Sequence, residues 1–141
     1  MKTSSRIICK MFLISVFFLI CTLSSAIASG DFSYFMKDTV NVHSWENLKE
    51  LTKNYADDGI FEEGFSGLVE RLFQSSYSEL FKTKTYEDKK FIEFIERHID
   101  RTWQKGNAEK LKARIERECP DSYKNVCDGF LLRLETVING N

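Results

Sequence analysis

Residues 116–129 read ERECPDSYKNVCDG, and this stretch decides how the last helix meets the rest of the chain. It places Cys119 and Cys127 eight positions apart, with Pro120 between them. Along one continuous helix eight residues rise about 12 Å, whereas a disulfide needs Cα atoms about 4.4 to 6.8 Å apart. Because proline discourages a helical conformation in the residue before it, the helix ends at Cys119. The stretch therefore predicts a corner between two helices, closed by a Cys119–Cys127 disulfide.

Other roles for this cysteine pair fit the sequence less well. A zinc site usually takes four ligands, and the only two histidines, His43 and His98, lie far from the pair along the chain. A redox pair usually has C-x-x-C spacing, which this pair lacks. Free thiols are the remaining alternative. We expect a structural disulfide, with no metal and no cofactor.

The first 28 residues have the organisation of a secretory signal peptide. Three basic residues fall within the first ten, and residues 11–23 form an apolar run too short to span a bilayer comfortably. Ala26 and Ala28 supply the small residues of an A-x-A cleavage site. An uncleaved anchor, or lipidation at Cys21, fits this pattern less well. We expect cleavage after Ala28 and export to the periplasm or the medium. A bacterium is the expected source of the protein.

The mature chain, residues 29–141, is expected to form one domain with no membrane span. Loss of three basic residues with the signal peptide lowers Lys+Arg from 20 to 17 against 21 Asp+Glu, a formal net charge of −4. A mildly acidic chain without a basic stripe is a poor candidate for nucleic-acid binding. The sequence also shows no Lys/Arg cluster typical of membrane-surface binding.

Apolar residues recur at helical spacing along almost the whole mature chain, which predicts an all-α fold. We expect a small single-domain bundle of five to six amphipathic helices with one disulfide. Residues 29–43 are predicted to be irregular or a short helix, and residues 44–141 to form the helical core. The helices are expected near residues 45–56, 60–74, 77–83, 86–105, 108–119 and 122–139.

Local signals place the ends of several of these helices. Ser44, Thr85 and Asn107 are predicted N-caps, since short polar side chains accept hydrogen bonds from the first free N–H groups. Gly106 is the expected residue just past the end of the fourth helix. The apolar stripe of the second helix drifts after Gln74, which predicts a break near that residue.

No catalytic constellation emerges from the sequence. His98 shares the apolar face of its predicted helix, where a hydrogen-bonded core histidine is the expected role, and Asp100 two residues later points to a different side. Adjacent carboxylates are expected to serve helix starts and solvation; they occur at Asp57-Asp58, Glu62-Glu63 and Glu87-Asp88. An enzyme would need His98 or a carboxylate pair in a deep cleft, and we expect no enzyme.

The sequence favours a protein that acts by binding another protein. The aromatic side chains least committed to one buried face are candidates to contact the partner, namely Phe32, Tyr34, Phe35, Met36 and Phe94. A periplasmic inhibitor or immunity protein is one form of this role, and a homodimer is left open. The alternative is a carrier of a small apolar ligand, which would need an enclosed cavity between helices.

Overall fold

A computed structural model of the chain describes residues 32–140. Every regular element in this range is helical, and no strand occurs within it, so the predicted all-α bundle is confirmed. The chain divides into two compact units after Phe35, and the bundle belongs to the second of them. The predicted signal peptide lies outside the described residues. No helix among the described residues is both long enough and apolar enough to cross a membrane.

Five helices follow a shorter helical stretch at residues 32–39. They are α1 (Trp45–Asn54), α2 (Glu62–Leu80), α3 (Lys89–Arg97), α4 (Lys105–Glu118) and α5 (Lys124–Asn139). Short 3-10 turns at Gly59–Phe61, Lys84–Glu87 and Asp121–Tyr123 lead into α2, α3 and α5. Helix α5 packs along α4 and against α3, while α2 packs against both α1 and α4.

The centre of the core is the ring of Phe73 on α2. Its centroid lies 4.9 Å from that of Trp45, 5.2 Å from that of Phe130 and 5.9 Å from that of Trp103, each in an edge-to-face arrangement. All four side chains are buried. This geometry is the favoured one for aromatic pairs, and it ties α1, α2, α5 and the segment before α4 together.

Helix α2 is kinked where the apolar stripe drifts. Ser76 has φ −137° and ψ 28°, outside the helical range, yet the helix continues to Leu80. The predicted break is therefore present at Ser76, and the helix predicted over residues 77–83 is present as the segment after the kink, which ends at Leu80. The indole N–H of Trp45 donates to the backbone carbonyl of Ser76 at 2.9 Å, so the distortion gives a buried donor its acceptor.

Two N-caps show which local signals the fold uses. The Ser44 hydroxyl accepts the N–H of Asn47 at 3.2 Å, so this predicted cap is confirmed. Thr85 does not cap α3, because it lies within the 3-10 turn that precedes the helix. The Asp88 carboxylate caps α3 instead and accepts the N–H of Phe91 at 3.2 Å.

The predicted long fourth helix is wrong, because α3 ends at Arg97, well before Gly106. The chain then runs through turns, and the carbonyl of His98 accepts the indole N–H of Trp103 at 2.8 Å. This bond satisfies a carbonyl at the helix end that would otherwise lack a partner. Gly106 and Asn107 fall within the first turn of α4, so neither ends nor caps a helix.

The corner between α4 and α5 has the form that its sequence predicts. Cys119 is the extended residue that ends α4, and the chain passes Pro120 and one 3-10 turn before α5 begins. The Cys119–Cys127 disulfide is present, with the two Cα atoms 6.3 Å apart. The bridge therefore sets how α5 leaves the corner.

Candidate functional site

The five aromatic and Met residues predicted to face a partner divide into two groups. Phe32, Tyr34 and Met36 are exposed, and their contact with a partner stays a prediction. Phe35 is 0% exposed and Phe94 is 6% exposed, so the expectation that these two present their rings to a partner is wrong. Successive helical residues point about 100° apart, so burial of Phe35 turns both of its neighbours outward.

Phe94 is buried because three rings surround it. Its centroid lies 5.2 Å from that of Phe65 and 4.4 Å from that of His98. The ring of Phe91 lies almost parallel to it, with centroids 5.9 Å apart and planes inclined by 8°. Since Phe65 belongs to α2, this cluster is the aromatic contact between α2 and α3.

A chain of polar side chains lies beside this aromatic cluster. His98 Nε2 is 2.7 Å from Asp57 Oδ1, and its Nδ1 is 3.0 Å from Ser66 Oγ. The Ser66 hydroxyl also donates to Asp100 Oδ2 at 2.5 Å. His98 and Asp100 were predicted to lie on different sides of one helix, but Asp100 lies in the turn after α3. Ser66 on α2 therefore joins both of them.

These residue types are those of a hydrolytic Ser–His–Asp triad, but the arrangement gives a substrate no access. Ser66 is 0% exposed, and its hydroxyl proton is directed to a second carboxylate, that of Asp100. A nucleophile must be able to reach the substrate atom that it attacks. These hydrogen-bonded side chains connect α2, the end of α3 and the loop that carries Asp57. Asp57 itself does not cap a helix.

Opposing effects act on the pKa of His98. Burial lowers its pKa, and the carboxylate of Asp57 acts in the opposite direction through both charge and hydrogen bonding. The guanidinium of Arg97, which pairs with Asp57 at 2.5 Å, adds to the lowering, whereas Asp100 opposes it. Burial prevails, so the pKa of His98 lies below its ordinary value of 6.5.

The lowered pKa predicts a loss of stability in mild acid. Below pH 6.5 the unfolded chain binds more protons at His98 than the folded chain does. The contribution of His98 is therefore fully present above that pH and is lost as the pH falls through the folded pKa. The free energy of unfolding in urea, measured at about pH 7.5 and about pH 5.5, should fall more in the wild type than in His98→Gln. An equal fall in both proteins would contradict this assignment.

An opening with a buried apolar base lies between α2 and α4. This α2–α4 cleft has a volume of about 270 Å³. Its floor is formed by Phe73, Trp103 and Leu111, all buried core residues. Its rim is polar and consists of Glu70, Gln74, Asn107, Lys110 and Arg114.

The rim side chains differ in whether they already have hydrogen-bond or ion-pair partners within the protein. Glu70 Oε1 accepts the side-chain amide of Asn107 at 2.8 Å and the backbone N–H of Gln104 at 3.3 Å, which fixes it in place. Arg114 donates from Nε to Glu118 at 2.8 Å. Lys110 forms no ion pair with any other residue of the described range. The rim therefore offers one cation without a carboxylate partner.

A carrier of an apolar ligand would need an enclosed cavity between helices, and this alternative stays a prediction. The space between α2 and α3 is occupied by the contact of Phe65 with Phe94. Between α2 and α5 the rings of Phe73 and Phe130 meet at 5.2 Å. The α2–α4 cleft is open to solvent along its rim, so it suits a side chain that enters from outside.

Within residues 32–140 no group of three or more His, Cys, Asp or Glu side chains is placed to hold a metal ion. Comparison with models of known families, with curated proteins and with solved structures found no match to this chain.

Proposed function

We propose that the protein acts by binding another protein, and that the α2–α4 cleft receives an apolar side chain of that partner. The observation that carries the proposal is a buried floor containing Phe73 and Trp103 beneath a polar rim. Energetically dominant contacts in protein interfaces have this form, in which an anchor side chain fills a dry pocket and polar groups around it exclude water.

The chemistry of the rim indicates what accompanies the anchor. Lys110 has no carboxylate partner in the described range, while Glu70 is already held by Asn107 and by a backbone N–H. A partner carboxylate beside the anchor would complement Lys110, whereas a partner cation would find Glu70 committed. We therefore propose an aromatic or long aliphatic anchor with an acidic neighbour, presented on the surface of the partner.

Export is proposed together with this role. Residues 1–28 have the pattern of a signal peptide, and the Cys119–Cys127 disulfide is of the kind that persists in oxidising compartments. A small domain with a docking cleft of this kind suits an inhibitor. A periplasmic inhibitor or immunity protein remains the specific form that we propose.

Affinity capture with a variant that fills the cleft tests the proposal. The oxidised chain, tagged at its carboxyl end, is exposed to extracts of its own and neighbouring organisms, and bound proteins are identified by mass spectrometry. Gln74→Trp should block the cleft with little loss of stability, because Gln74 is exposed on the rim. Ser78→Trp is the matched control, since Ser78 lies one turn further along α2, is exposed and is not part of the cleft.

The expected result is one partner captured by the wild type and by Ser78→Trp, with at least about a tenfold loss in Gln74→Trp, since interface energy is concentrated in a few pockets. Capture that is equal in all three proteins would show that the partner binds elsewhere. Absence of any partner from every extract would count against a protein-binding role.

A further inference from the structure

A second cleft, between α1 and α3, has a different character from the α2–α4 cleft. It has a volume of about 290 Å³. Its floor contains the rings of Phe91 and Phe94, both largely buried. Four of its eight lining side chains are cationic and one is anionic; the lining is Lys49, Thr52, Lys53, Asp88, Lys90, Phe91, Phe94 and Arg97.

The single lining carboxylate is fully used within the fold. Asp88 Oδ1 accepts the backbone N–H of Phe91, and Oδ2 pairs with Lys49 Nζ at 2.7 Å. The Lys49 hydrogen bond and this N-cap bond both hold the pKa of Asp88 below its ordinary value. Lys49 also lies 5.9 Å from the centroid of the Phe91 ring. Lys49 and Asp88 thus form a fixed wall of the cleft.

The other three cations are available to a ligand. Lys90 forms no ion pair within the described range of the chain. Lys53 pairs with Glu50, and Arg97 pairs with Asp57, but the two cationic side chains are 59% and 62% exposed. The Lys53–Glu50 pair is exposed on both sides and therefore weak, and the guanidinium of Arg97 stays exposed to solvent beside its less exposed partner, Asp57, so an incoming anion can contact both cations.

This positive charge is local, because the whole chain carries a formal net charge of −1. A cleft that concentrates cations above low-dielectric aromatic walls focuses the field on whatever enters it. The Phe91 and Phe94 side chains, although largely buried, line the cleft and supply an apolar floor against which an apolar group can pack. The two features together favour a ligand that carries an anionic group beside an apolar one, such as an aromatic ring.

We propose that the α1–α3 cleft binds a small aromatic anion, with its phosphate or carboxylate held by Lys53, Lys90 and Arg97 and its ring packed against the apolar floor that Phe91 and Phe94 supply. This site is separate from the docking proposed for the α2–α4 cleft. Either proposal can therefore fail without the other.

Titration of the full chain with phenyl phosphate, followed by amide NMR signals, tests the site. Inorganic phosphate and phenol are the comparison probes, since each carries one half of the proposed ligand. Phenyl phosphate should shift the signals of residues 90–97 and bind at least about tenfold more tightly than either probe, because charge and ring contact act together. If phenol bound as tightly as phenyl phosphate, the site would not need an anionic group. If inorganic phosphate bound as tightly as phenyl phosphate, the site would not need an aromatic ring. Either result would contradict the proposal.

Charge-reversal variants locate the binding. Lys90→Glu and Lys53→Glu should each weaken phenyl phosphate binding by about tenfold or more, because each replaces attraction with repulsion at the ligand. Lys82→Glu is the matched control for Lys53→Glu, since each lysine is exposed and pairs with a glutamate three residues before it. A similar loss of phenyl phosphate affinity in Lys82→Glu would show that only the overall charge of the protein matters, which would contradict the site. If phenyl phosphate shifted no amide signals at all, the proposed site would be wrong.

Discussion

Phe73→Ala is expected to lower the free energy of unfolding by about 3 to 5 kcal/mol, the range for large-to-small changes of a buried phenylalanine. Phe73 is fully buried, and its ring contacts those of Trp45, Trp103 and Phe130. These rings come from three other parts of the chain. They cannot all move to fill the space left behind, so a cavity should persist and the cost should lie toward the upper end.

Urea denaturation followed by tryptophan fluorescence measures this loss, because both tryptophans adjoin Phe73. Leu132→Ala is the control, since Leu132 is 65% exposed on α5 and its truncation should change stability by no more than about 0.5 kcal/mol. A loss for Phe73→Ala that is no greater than the loss for Leu132→Ala would contradict the packing described here.

Removal of the disulfide has the next largest expected effect. Replacement of Cys119 and Cys127 by serine should lower the free energy of unfolding by about 2 to 3 kcal/mol, the chain-entropy contribution of a short closed loop. Cys127 is buried, so a serine hydroxyl there adds to the cost unless it finds a partner. Without the bridge, the angle between α4 and α5 at Pro120 is also less constrained.

A reductant provides the control for this prediction. Dithiothreitol should lower the stability of the wild type toward that of the double-serine variant and leave the variant unchanged. If the double variant matched the oxidised wild type in urea, the bridge would have no part in holding α5 in place.

Features set by neighbouring residues could be predicted from the sequence. Ser44 caps α1 as its residue type and position indicate, and the corner at Pro120 follows from the restriction that proline places on the preceding residue. The apolar stripes predicted the all-α bundle because helical spacing is a local property. The end of α3 at Arg97 was missed because the apolar stripe continues past it, whereas the chain turns there and the indole N–H of Trp103 donates to the carbonyl of His98.

The candidate sites could not be predicted in the same way, because each depends on how helices are arranged in space. Ser66 and Asp57 lie 32 and 41 positions from His98, and only the fold brings the three together. The α1–α3 cleft draws Lys53 from one helix and Lys90 from another, so no basic run appears in the sequence.

The α2–α4 cleft could not be predicted from the sequence either. Phe73, Trp103 and Leu111 have the spacing of ordinary core residues, and they are core residues. Gln74 and Lys110 have the spacing of a solvated helix face. Only the separation of α2 from α4 turns these two sets into the floor and rim of one opening.

Photo-crosslinking from the rim of the α2–α4 cleft tests the protein-binding proposal most directly. A photoreactive phenylalanine analogue is placed at Gln74 in one protein and at Leu132, an exposed apolar residue on α5, in another. We expect the analogue at Gln74 to crosslink to a single partner protein in extracts and the analogue at Leu132 not to do so. A partner that crosslinks from Leu132 and never from Gln74 would contradict it.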